Sequence, residues 1–439
     1  MRKIIKLLIV CLFLSSCTKD NDVQNGKDIE SNSADSSFTI AKELYLWNSE
    51  IAESKEFDPS RFANPVDLLI EFRKYSPKNQ AGIPVDKWSF AIEKETWNNL
   101  LQGNTVDFGA VFKFIGKKDL RVALVQENSS AAKSKLRRGL QILTINGIKA
   151  EVSNSAELSR EITESSELQL SYLDPVSGIE QKNTLSRSYY VIEAVADPKY
   201  FESGKKKVGY LNISTFISST KDRLPEIFDD FRSNSIDGLI IDLRYNGGGL
   251  TSVMEYLANM LVPKAGVGKT MYKIKHNANY SVFNSTTFFT PSDQRLDLKT
   301  IYFIVSQNTA SSSEMLINSL KPYINTVLIG KETHGKLVGM YTVSFHDYIL
   351  APVSFKTFNA NDESLEGQGF LPDFDLGDDV SNDFDQNENC IAAALYHYQN
   401  GAFPAGKDQN RKTPIEQMLY SNEMIPFAIK ENSFNFKRK

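Results

Sequence analysis

Residues 300–340 contain the side chains whose types and spacing are best suited to chemistry. A β-branched, apolar strand (Ile301 to Val305) precedes a Ser-rich turn (Thr309 to Ser313), and an amphipathic helix follows. A serine on such a strand-to-helix turn lies at an edge, where the first N–H groups of the helix point towards a bound group. The pattern suits a nucleophile, although a Ser run before Glu314 is also typical of an ordinary helix cap.

A basic side chain returns to the same edge of the predicted sheet. Lys336 follows the next predicted strand, Val327 to Ile329, so both strand ends should meet on one rim. A lysine serves as a general base only when it is neutral, so burial must lower its pKa from the ordinary value of about 10.4. His334 is an alternative base, because residues two apart in an extended segment share a face.

A glycine-rich loop follows a second apolar strand. The strand runs from Ile236 to Arg244, and the loop over residues 245–249, YNGGG, leads into a helix. Such a loop can present backbone N–H groups to a developing oxyanion. A tight turn before a helix is the simpler alternative. A nucleotide-binding loop is disfavoured, because neither Gly-x-Gly-x-x-Gly nor Gly-Lys-Ser/Thr occurs here.

These motifs resemble those of the carboxyl-terminal processing (tail-specific) proteases, which are serine peptidases with a serine–lysine dyad. The matching segments are Thr309–Glu314 and Thr333–Lys336. On the family pattern, Ser311 is the nucleophile of an acyl-transfer reaction and Lys336 is its base. The resemblance implies that the reaction needs neither a cofactor nor a metal.

The resemblance extends to the glycine loop, which matches the family's Asp-Leu-Arg-x-Asn-x-Gly-Gly segment. It implies that the N–H groups of Gly248 and Ser312 form the oxyanion hole, with the glycine assigned to within one position. Met340 stands where many members have a Gln that orients the lysine. The segment Asp86–Ser89, DKWS, also has a family counterpart, but its residues by themselves indicate no chemistry.

Residues from about 105 to 185 predict a compact, barrel-like module. Short alternating strands surround one small helix, Ser130 to Leu136. The stretch Val122 to Ile148 resembles a PDZ domain, which implies that a substrate C-terminus is added as an extra strand. The loop that would capture its carboxylate consists of Phe108, Gly109, Ala110 and Val111. A purely structural barrel is the alternative.

Composition and charge narrow the classes of function. The chain has 439 residues, of which 41% are hydrophobic and 24% charged, as in a globular protein with ample core. The net charge of −4 argues against a nucleic-acid binder, which would normally show a basic face. His276, His346 and His397 have no metal-ligand spacing. We therefore expect no nucleic-acid partner and no metal.

The N-terminus predicts export. A charged start and the apolar run LLIVCLFLSS are typical of a secretory signal and are too short to favour a membrane span. The residues Leu14–Cys17 resemble a bacterial lipobox, which implies that Cys17 is lipidated and anchors the protein to a membrane. The expected location is the cell envelope of a Gram-negative-type bacterium, in the periplasm or at the outer membrane or surface. A plain cleaved signal peptide is the alternative.

Together these observations predict a multidomain α/β protein with a small helical N-terminal domain, a PDZ-like β-rich domain and a crotonase/ClpP-like α/β catalytic domain. The expected divisions are a lipoprotein signal peptide (1–17), a disordered tether (18–37), the helical N-terminal domain (38–103), the PDZ-like domain (104–185), the catalytic domain (186–400) and a C-terminal tail (401–439). The predicted function is cleavage of protein or peptide substrates near their C-terminal tails. The alternative is a catalytically inactive lipoprotein that binds a peptide or other ligand on the same fold.

Overall fold

A computed structural model describes residues 25–79, 81–174, 177–365, 367–405, 417–420 and 427–430. The predicted signal peptide and Cys17 lie outside these residues. Within the described ranges, no helix is both long and apolar enough to cross a bilayer.

The N-terminal region is mainly helical. Its elements are α1 (Asn25–Leu44), α2 (Ser54–Phe57), α3 (Pro65–Phe72), β1 (Phe90–Glu93) and α4 (Lys94–Gln102). The structure differs from the expected disordered tether, because residues 25–37 form the first part of α1. Phe38, Ala41 and Leu44, spaced three residues apart, are buried and hold the C-terminal half of this helix against the core.

The PDZ-like module has its own sheet and its own hydrophobic core. Its elements are β2 (Asn104–Asp107), β3 (Ala110–Gly116), β4 (Asp119–Val125), α5 (Ser130–Lys133), β5 (Gln141–Ile145), β6 (Ile148–Lys149), α6 (Ser155–Glu164), β7 (Glu167–Leu173), β8 (Glu180–Ser186) and β9 (Ser188–Val191). The strands run in the order β3-β4-β5-β7-β8, with β6 paired to β5, while β2 and β9 form a separate ribbon. Two helices stand where one was expected. The missed helix, α6, buries Leu158 and Ile162 at the i, i+4 spacing of a helix face.

The catalytic region is built on a mostly parallel sheet. Its strands, in spatial order, are β10 (Lys199–Ser203), β11 (Lys206–Asn212), β12 (Gly238–Asp242), β16 (Thr300–Val305), β17 (Asn325–Gly330) and β22 (Phe374–Asp375), of which β10 alone pairs antiparallel. Helices α7 (Ser218–Ser233), α8 (Thr251–Leu261) and α9 (Ser312–Leu320) pack on one face, and α10 (Asn389–Asn400) packs on the other. Strands β12 and β16 are largely apolar because both of their faces are covered.

A second sheet lies beside the first and includes part of the C-terminal tail. Its order is β13 (Gly248–Leu250), β24 (Phe427–Ile429), β18 (Val338–Met340), β21 (Val353–Phe358), β14 (Thr270–His276) and β15 (Ser285–Phe288). A further tail strand, β23 (Gln417–Tyr420), pairs antiparallel with β3 of the PDZ-like module. The tail therefore contributes a strand to each of two sheets.

The N-terminal region shares its core with the catalytic region. Strand β1 pairs antiparallel with β20 (Tyr348–Ala351), which pairs in turn with β19 (Val343–Phe345). Phe72 and Trp97 belong to the same hydrophobic cluster as the buried faces of α7, α8 and α9. The helices predicted as a small domain therefore have no separate core, and they are positioned to shape the neighbouring site.

Candidate active site

Ser311 occupies a strained turn between β16 and α9. Its backbone has φ 64° and ψ −116°, and its side chain is buried with 0% exposure. A positive φ is uncommon for a residue with a side chain, and such strain persists only where the surrounding structure holds it in place. The turn thus has the conformation of a strand-to-helix elbow, as the sequence predicted.

The Ser311 hydroxyl does not act as an ordinary helix cap. The carboxylate of Glu314 accepts a hydrogen bond from the Ser311 N–H at 2.9 Å, which is one half of a capping box. The Ser311 Oγ, however, has no hydrogen-bond partner among the described residues. A buried hydroxyl without a partner costs free energy, so a structural role alone does not account for it.

Glu314 joins the two predicted catalytic residues through their backbones. Its Oε2 accepts from the N–H of Ser311 at 2.9 Å and from that of Lys336 at 2.8 Å. Its Oε1 accepts from the Gly335 N–H and from the Thr333 Oγ1, each at 2.6 Å. The backbones of Ser311 and Lys336, 25 positions apart in the sequence, are thus fixed on a single carboxylate oxygen. From the sequence, Glu314 is recognisable as part of a helix cap and of the family motif, but this positioning role is not.

Lys336 is fully buried beside an aromatic ring. Its Nζ lies 5.5 Å from the centroid of the Trp88 ring. Burial lowers the pKa of Lys336 to about 7, even though the carboxylates of Asp86 and Glu314 act to raise it. About half of the lysine side chains would be neutral at pH 7, compared with a minute fraction of exposed lysines. The group therefore has the proton affinity of a general base.

The wall of the lysine pocket comes from the DKWS segment. Asp86 Oδ1 accepts from the N–H groups of Trp88 and Ser89, at 2.8 and 3.0 Å. Its Oδ2 accepts from the Tyr45 hydroxyl at 3.0 Å and from the Ser89 hydroxyl at 2.5 Å. These bonds place a carboxylate and an indole ring next to the lysine. Sequence reasoning missed this role, although an Asp two residues before a backbone donor is typical of an Asx turn.

His334 and Lys336 do not share a face, contrary to the expectation for an extended segment. Gly335 between them has φ 84°, so the chain turns, leaving His334 exposed and Lys336 buried. His334 Nε2 accepts from the Trp88 indole N–H at 3.2 Å, and Nδ1 lies 3.2 Å from the carbonyl oxygen of Gln307. Both ring nitrogens are thus engaged away from Ser311.

Met340 supplies no polar group to the lysine. It is buried in β18 and pairs through its backbone with Val353 and Ile429. The Gln that many members of the predicted family have at this position is therefore replaced by an apolar side chain. The carboxylates that influence Lys336 come from the DKWS segment and from α9 instead.

The two predicted oxyanion donors lie next to each other in the fold. Ser312 is the first residue of α9, and its N–H has no acceptor among the described residues. Its hydroxyl donates to the carbonyl of Gly249 at 2.9 Å, which binds the helix start to the glycine loop. The Gly248 N–H, in contrast, donates to Asn246 Oδ1 at 2.8 Å. This donor is therefore already occupied.

Close backbone approach explains the glycines of this loop. A Cβ on Gly249 would lie 2.1 Å from the carbonyl oxygen of Phe216, and its φ of 138° disfavours any other residue. The loop is also held to the nucleophile turn (Thr309 to Ser313), because the Ala310 N–H and the Ser313 hydroxyl both donate to the carbonyl of Asn246. The loop and the turn thus form one unit.

The predicted carboxylate-capture loop of the PDZ-like module is compact. Phe108 is buried, and Gly109 has φ 72° with Ser129 so close that a Cβ would approach its Cβ to 2.0 Å. The Gly109 N–H donates to Asp107 Oδ1 at 2.6 Å. Ala110 and Val111 begin β3. One of the N–H groups expected to meet a carboxylate is therefore occupied.

A cavity of about 620 Å³ connects this loop to the glycine loop. Gly109, Ala110 and Val111 line it together with Gly247 and Gly248. The cavity thus brings together two segments that the sequence analysis had placed in different domains. Ser311 and Lys336 are buried and are not among the residues that line it.

A buried ion cluster also joins the PDZ-like module to the catalytic region. The Asp378 carboxylate pairs with Lys113 at 3.3 Å, with Arg138 at 2.6 Å and with Arg244 at 2.7 Å. It also accepts a hydrogen bond from the hydroxyl of Tyr245, the residue that begins the glycine loop. The surrounding cations hold the pKa of Asp378 well below its usual range despite burial.

Residues 207–376 match the family model "Peptidase family S41". The chain carries an S41 peptidase domain. This matched segment contains Ser311, Lys336 and the glycine loop, and the predicted family resemblance is confirmed.

Curated relatives give a consistent result. The "Probable CtpA-like serine protease" of Staphylococcus aureus (strain COL) is 24% identical over 292 residues, which cover 66% of this chain and 56% of that protein. The "Carboxyl-terminal-processing protease" of Synechocystis sp. (strain ATCC 27184 / PCC 6803 / Kazusa) is 24% identical over 210 residues, or 47% of each chain. The chain thus spans only about half the length of these relatives.

Solved structures confirm the α/β fold around the S41 domain. A Bacteroides fragilis NCTC 9343 protein assigned to the S41 proteases superposes with a TM-score of 0.67 at 22% identity, over 88% of this chain and 100% of the other. The photosystem II D1 C-terminal processing protease superposes with a TM-score of 0.50 at 19% identity, over 79% and 93%. Both comparisons extend well beyond the S41 domain, so the surrounding regions share the fold as well.

Proposed function

We propose that this protein is a serine endopeptidase that cleaves protein or peptide substrates through a Ser311–Lys336 dyad. The observation that carries this proposal is that Glu314 Oε2 accepts the backbone N–H groups of both Ser311 and Lys336. The Ser311 hydroxyl is buried without a partner among the described residues, and the Lys336 side chain is also buried. Burial gives the lysine a pKa of about 7, so the base exists in its neutral form near neutral pH. Membership of the S41 domain in a peptidase family supports the same reaction class.

The proposed reaction is acyl transfer. Ser311 Oγ attacks the scissile carbonyl carbon while Lys336 Nζ takes its proton, and the lysine then protonates the departing amine. Water attacks the resulting ester with the same lysine as base, which releases the acid and restores the serine. The Ser312 N–H donates to the oxyanion, and the Gly248 N–H does so once the Asn246 amide releases it.

The proposed substrates are chains with accessible C-terminal tails. A cavity that runs from the PDZ-like loop to the glycine loop supports this, because an extended peptide bound at the first would lead towards the second. The Synechocystis relative, a carboxyl-terminal-processing protease by name, supports the same substrate class. We also propose a lipid anchor on Cys17 in the cell envelope of a Gram-negative-type bacterium, which intact-mass analysis of wild type and Cys17→Ser would test.

The first experiment compares Ser311→Ala and Lys336→Ala with wild type on an unfolded protein substrate. Each variant should lose roughly 1,000-fold or more of kcat/KM, because the two groups act as a unit. Ser313→Ala is the matched control, since it removes a buried hydroxyl of the same turn whose hydrogen bond among the described residues goes to the Asn246 carbonyl. Substantial hydrolysis by either dyad variant would refute the mechanism.

The identity of the base is tested separately with His334→Ala. This change removes an acceptor of the Trp88 indole N–H, so we expect a loss below about tenfold. A loss as large as that of Lys336→Ala would favour the histidine instead.

One observation favours the alternative of an inactive binding protein. The Gly248 N–H is satisfied by Asn246, and an oxyanion hole with one donor is weaker by roughly 100-fold or more. If purified wild type binds a C-terminal peptide but neither cleaves it nor forms an acyl-enzyme with a serine-reactive probe, this second function stands.

A further inference from the structure

The edge of the PDZ-like sheet is already occupied by the chain's own C-terminal tail. Strand β23 pairs antiparallel with β3, with Tyr420 opposite Val111 and Gln417 opposite Phe114. It also packs against α6, so it lies in the groove between β3 and α6, which we call the PDZ-like groove. Leu419 belongs to the hydrophobic core of this module and is 2% exposed. The tail thus takes the place that a bound peptide takes when it extends a sheet.

The same strand touches the nucleophile turn. Met418 Sδ accepts from the side-chain amide of Asn308, three residues before Ser311, at 2.8 Å. Tyr420 lines the cavity that ends at Gly247 and Gly248. Strand β23 therefore occupies the PDZ-like groove and also contacts the catalytic region.

A second tail strand lies inside the catalytic region. Strand β24 is inserted between β13, which carries the glycine loop, and β18, which follows Lys336. Phe427 is opposite Gly248 and Ala428 is opposite Gly249. The far end is held by the N–H of Lys430, which donates to the Met340 carbonyl at 3.2 Å. The tail backbone is thus paired with the strand that holds the predicted oxyanion donor.

We propose that the tail strands β23 and β24 are resident, substrate-like ligands of the PDZ-like groove and the catalytic cleft, respectively, and that they compete with substrate. This inference rests on the proposed function for its effect on turnover, but the binding it asserts is independent of catalysis. An exposed strand edge is a template for any extended chain, so tail and substrate would use the same backbone groups.

The contacts are suited to displacement. The paired stretches contain four and three residues, and Leu419 and Ile429 are the fully buried side chains among their described residues. Such short pairings would be weak between separate molecules, but covalent attachment gives the tail an effective concentration of about 1 mM. A segment with a dissociation constant of about 0.1 mM would then reduce the access of a substrate roughly tenfold. A substrate with a stronger C-terminal anchor would replace it.

The first test measures binding in the Ser311→Ala background, where no hydrolysis interferes. A fluorescent peptide of residues 415–430 should bind a chain that ends at Ala405 at least tenfold more tightly than it binds the full-length chain. Full-length Leu419→Asp, which puts a charge where a buried apolar anchor stood, should also bind the peptide. Gln417→Ser is the matched control and should behave as the full-length chain does.

The second test needs no deletion. Val111 and Tyr420 are direct partners across an antiparallel pair, and such pairs lie within the reach of a disulfide. In the double variant Val111→Cys/Tyr420→Cys, oxidation should lower peptidase turnover about tenfold or more, and a reductant should restore it. Each single variant should be indifferent to reductant, because the one described native cysteine, Cys390, is buried.

The outcomes separate this inference from the proposed function. Peptide binding to the shortened chain, without cleavage by any variant, would support the tail as ligand and refute the peptidase. An oxidised double variant as active as its reduced form would overturn the competition. A folded, shortened chain that binds no tail peptide would overturn the inference as a whole.

Discussion

Glu314 and Asp378 are both buried carboxylates that join segments far apart in the sequence, but their partners differ in charge. Glu314 accepts hydrogen bonds from three backbone N–H groups and one hydroxyl, all of them neutral. Asp378 is surrounded by Lys113, Arg138 and Arg244. Burial accordingly raises the pKa of Glu314, whereas the cations hold the pKa of Asp378 well below its usual range.

The difference teaches how one fold can both position a base and join two domains. Neutral donors at Glu314 fix the backbones of Ser311 and Lys336 without bringing another cation to the lysine. Burial of Lys336 then dominates and keeps its pKa near 7. The ion cluster at Asp378 lies where no proton transfer is proposed, so its strong charge pairing can serve rigidity alone.

The largest effect should follow removal of Glu314, the carboxylate whose hydrogen-bond donors are all neutral. In Glu314→Ala, three buried N–H groups lose their acceptor, which should cost about 3 kcal/mol or more of folding free energy. Ser311 and Lys336 would also lose their common anchor, so we expect kcat/KM to fall roughly 100- to 1,000-fold. Steady-state kinetics and denaturant unfolding measure the two effects.

Glu314→Gln separates position from charge. The amide keeps the shape and one acceptor oxygen, so part of the activity should return relative to Glu314→Ala. Removal of the negative charge should lower the pKa of Lys336, because Glu314 acts to raise it. A Glu314→Gln variant with wild-type kinetics would show that the carboxylate has no positioning role.

The next largest effect should be the pH dependence of the wild type. The base must be neutral, and burial sets the pKa of Lys336 to about 7. The rate should therefore rise about tenfold per pH unit below pH 7 and level off above it. The profile of kcat/KM in the free enzyme reports this group. A flat profile between pH 5 and 8 would contradict a lysine base of this pKa.

Loss of the Asp378 carboxylate should affect the free energy of unfolding more than the rate of the reaction. Asp378→Asn leaves three buried cations without their shared anion, which should cost roughly 3–5 kcal/mol of folding free energy. Because the Ser311–Glu314–Lys336 contacts do not include Asp378, we expect kcat/KM at pH 8 to change less than about fivefold in the folded variant. Asp362→Asn is the control for the loss of a single ion pair, because the exposed Asp362 carboxylate pairs with Lys273 among the described residues. If Asp378→Asn lost as much activity as Glu314→Ala does, the proposed difference between the roles of Asp378 and Glu314 would be wrong.

Much of the fold, and the two residues of the proposed dyad, could be predicted from local sequence patterns. The parallel strands read as continuous apolar runs, because both faces of β12 and β16 are covered. Ser311 and Lys336 each follow such a strand, and parallel strands end on one side of a sheet. The serine and lysine positions thus depend on short stretches whose residue types are informative by themselves.

The parts that could not be predicted depend on contacts between distant segments. The role of Asp86 depends on its hydrogen bond from Tyr45 and on its position near Lys336. No periodic pattern in the local sequence indicates either contact. The tail strands β23 and β24 are three or four residues long, and their partners lie more than 80 residues away in the sequence, so their pairing energy is tertiary. The shared face expected for His334 and Lys336 failed because the positive φ of Gly335 breaks the alternation of an extended segment.

A third carboxylate tests whether neutral partners are the general feature of the lysine pocket. Asp86 accepts from two backbone N–H groups and two hydroxyls, as Glu314 does from neutral donors, and it is the stronger of the two carboxylates in raising the pKa of Lys336. Asp86→Asn should therefore move the midpoint of the pH–rate profile below that of wild type, and further than Glu314→Gln does.

The rate of Asp86→Asn well above the midpoint should stay within about threefold of wild type, because the lysine is neutral there in both proteins. Ser89→Ala is the control, since it removes one donor to Asp86 while leaving the charge in place. A midpoint that moves upward, or that does not move, would show that the charge of Asp86 does not reach Lys336. The pKa of Lys336 would then be set by burial and by the charges of Glu314 and Arg73.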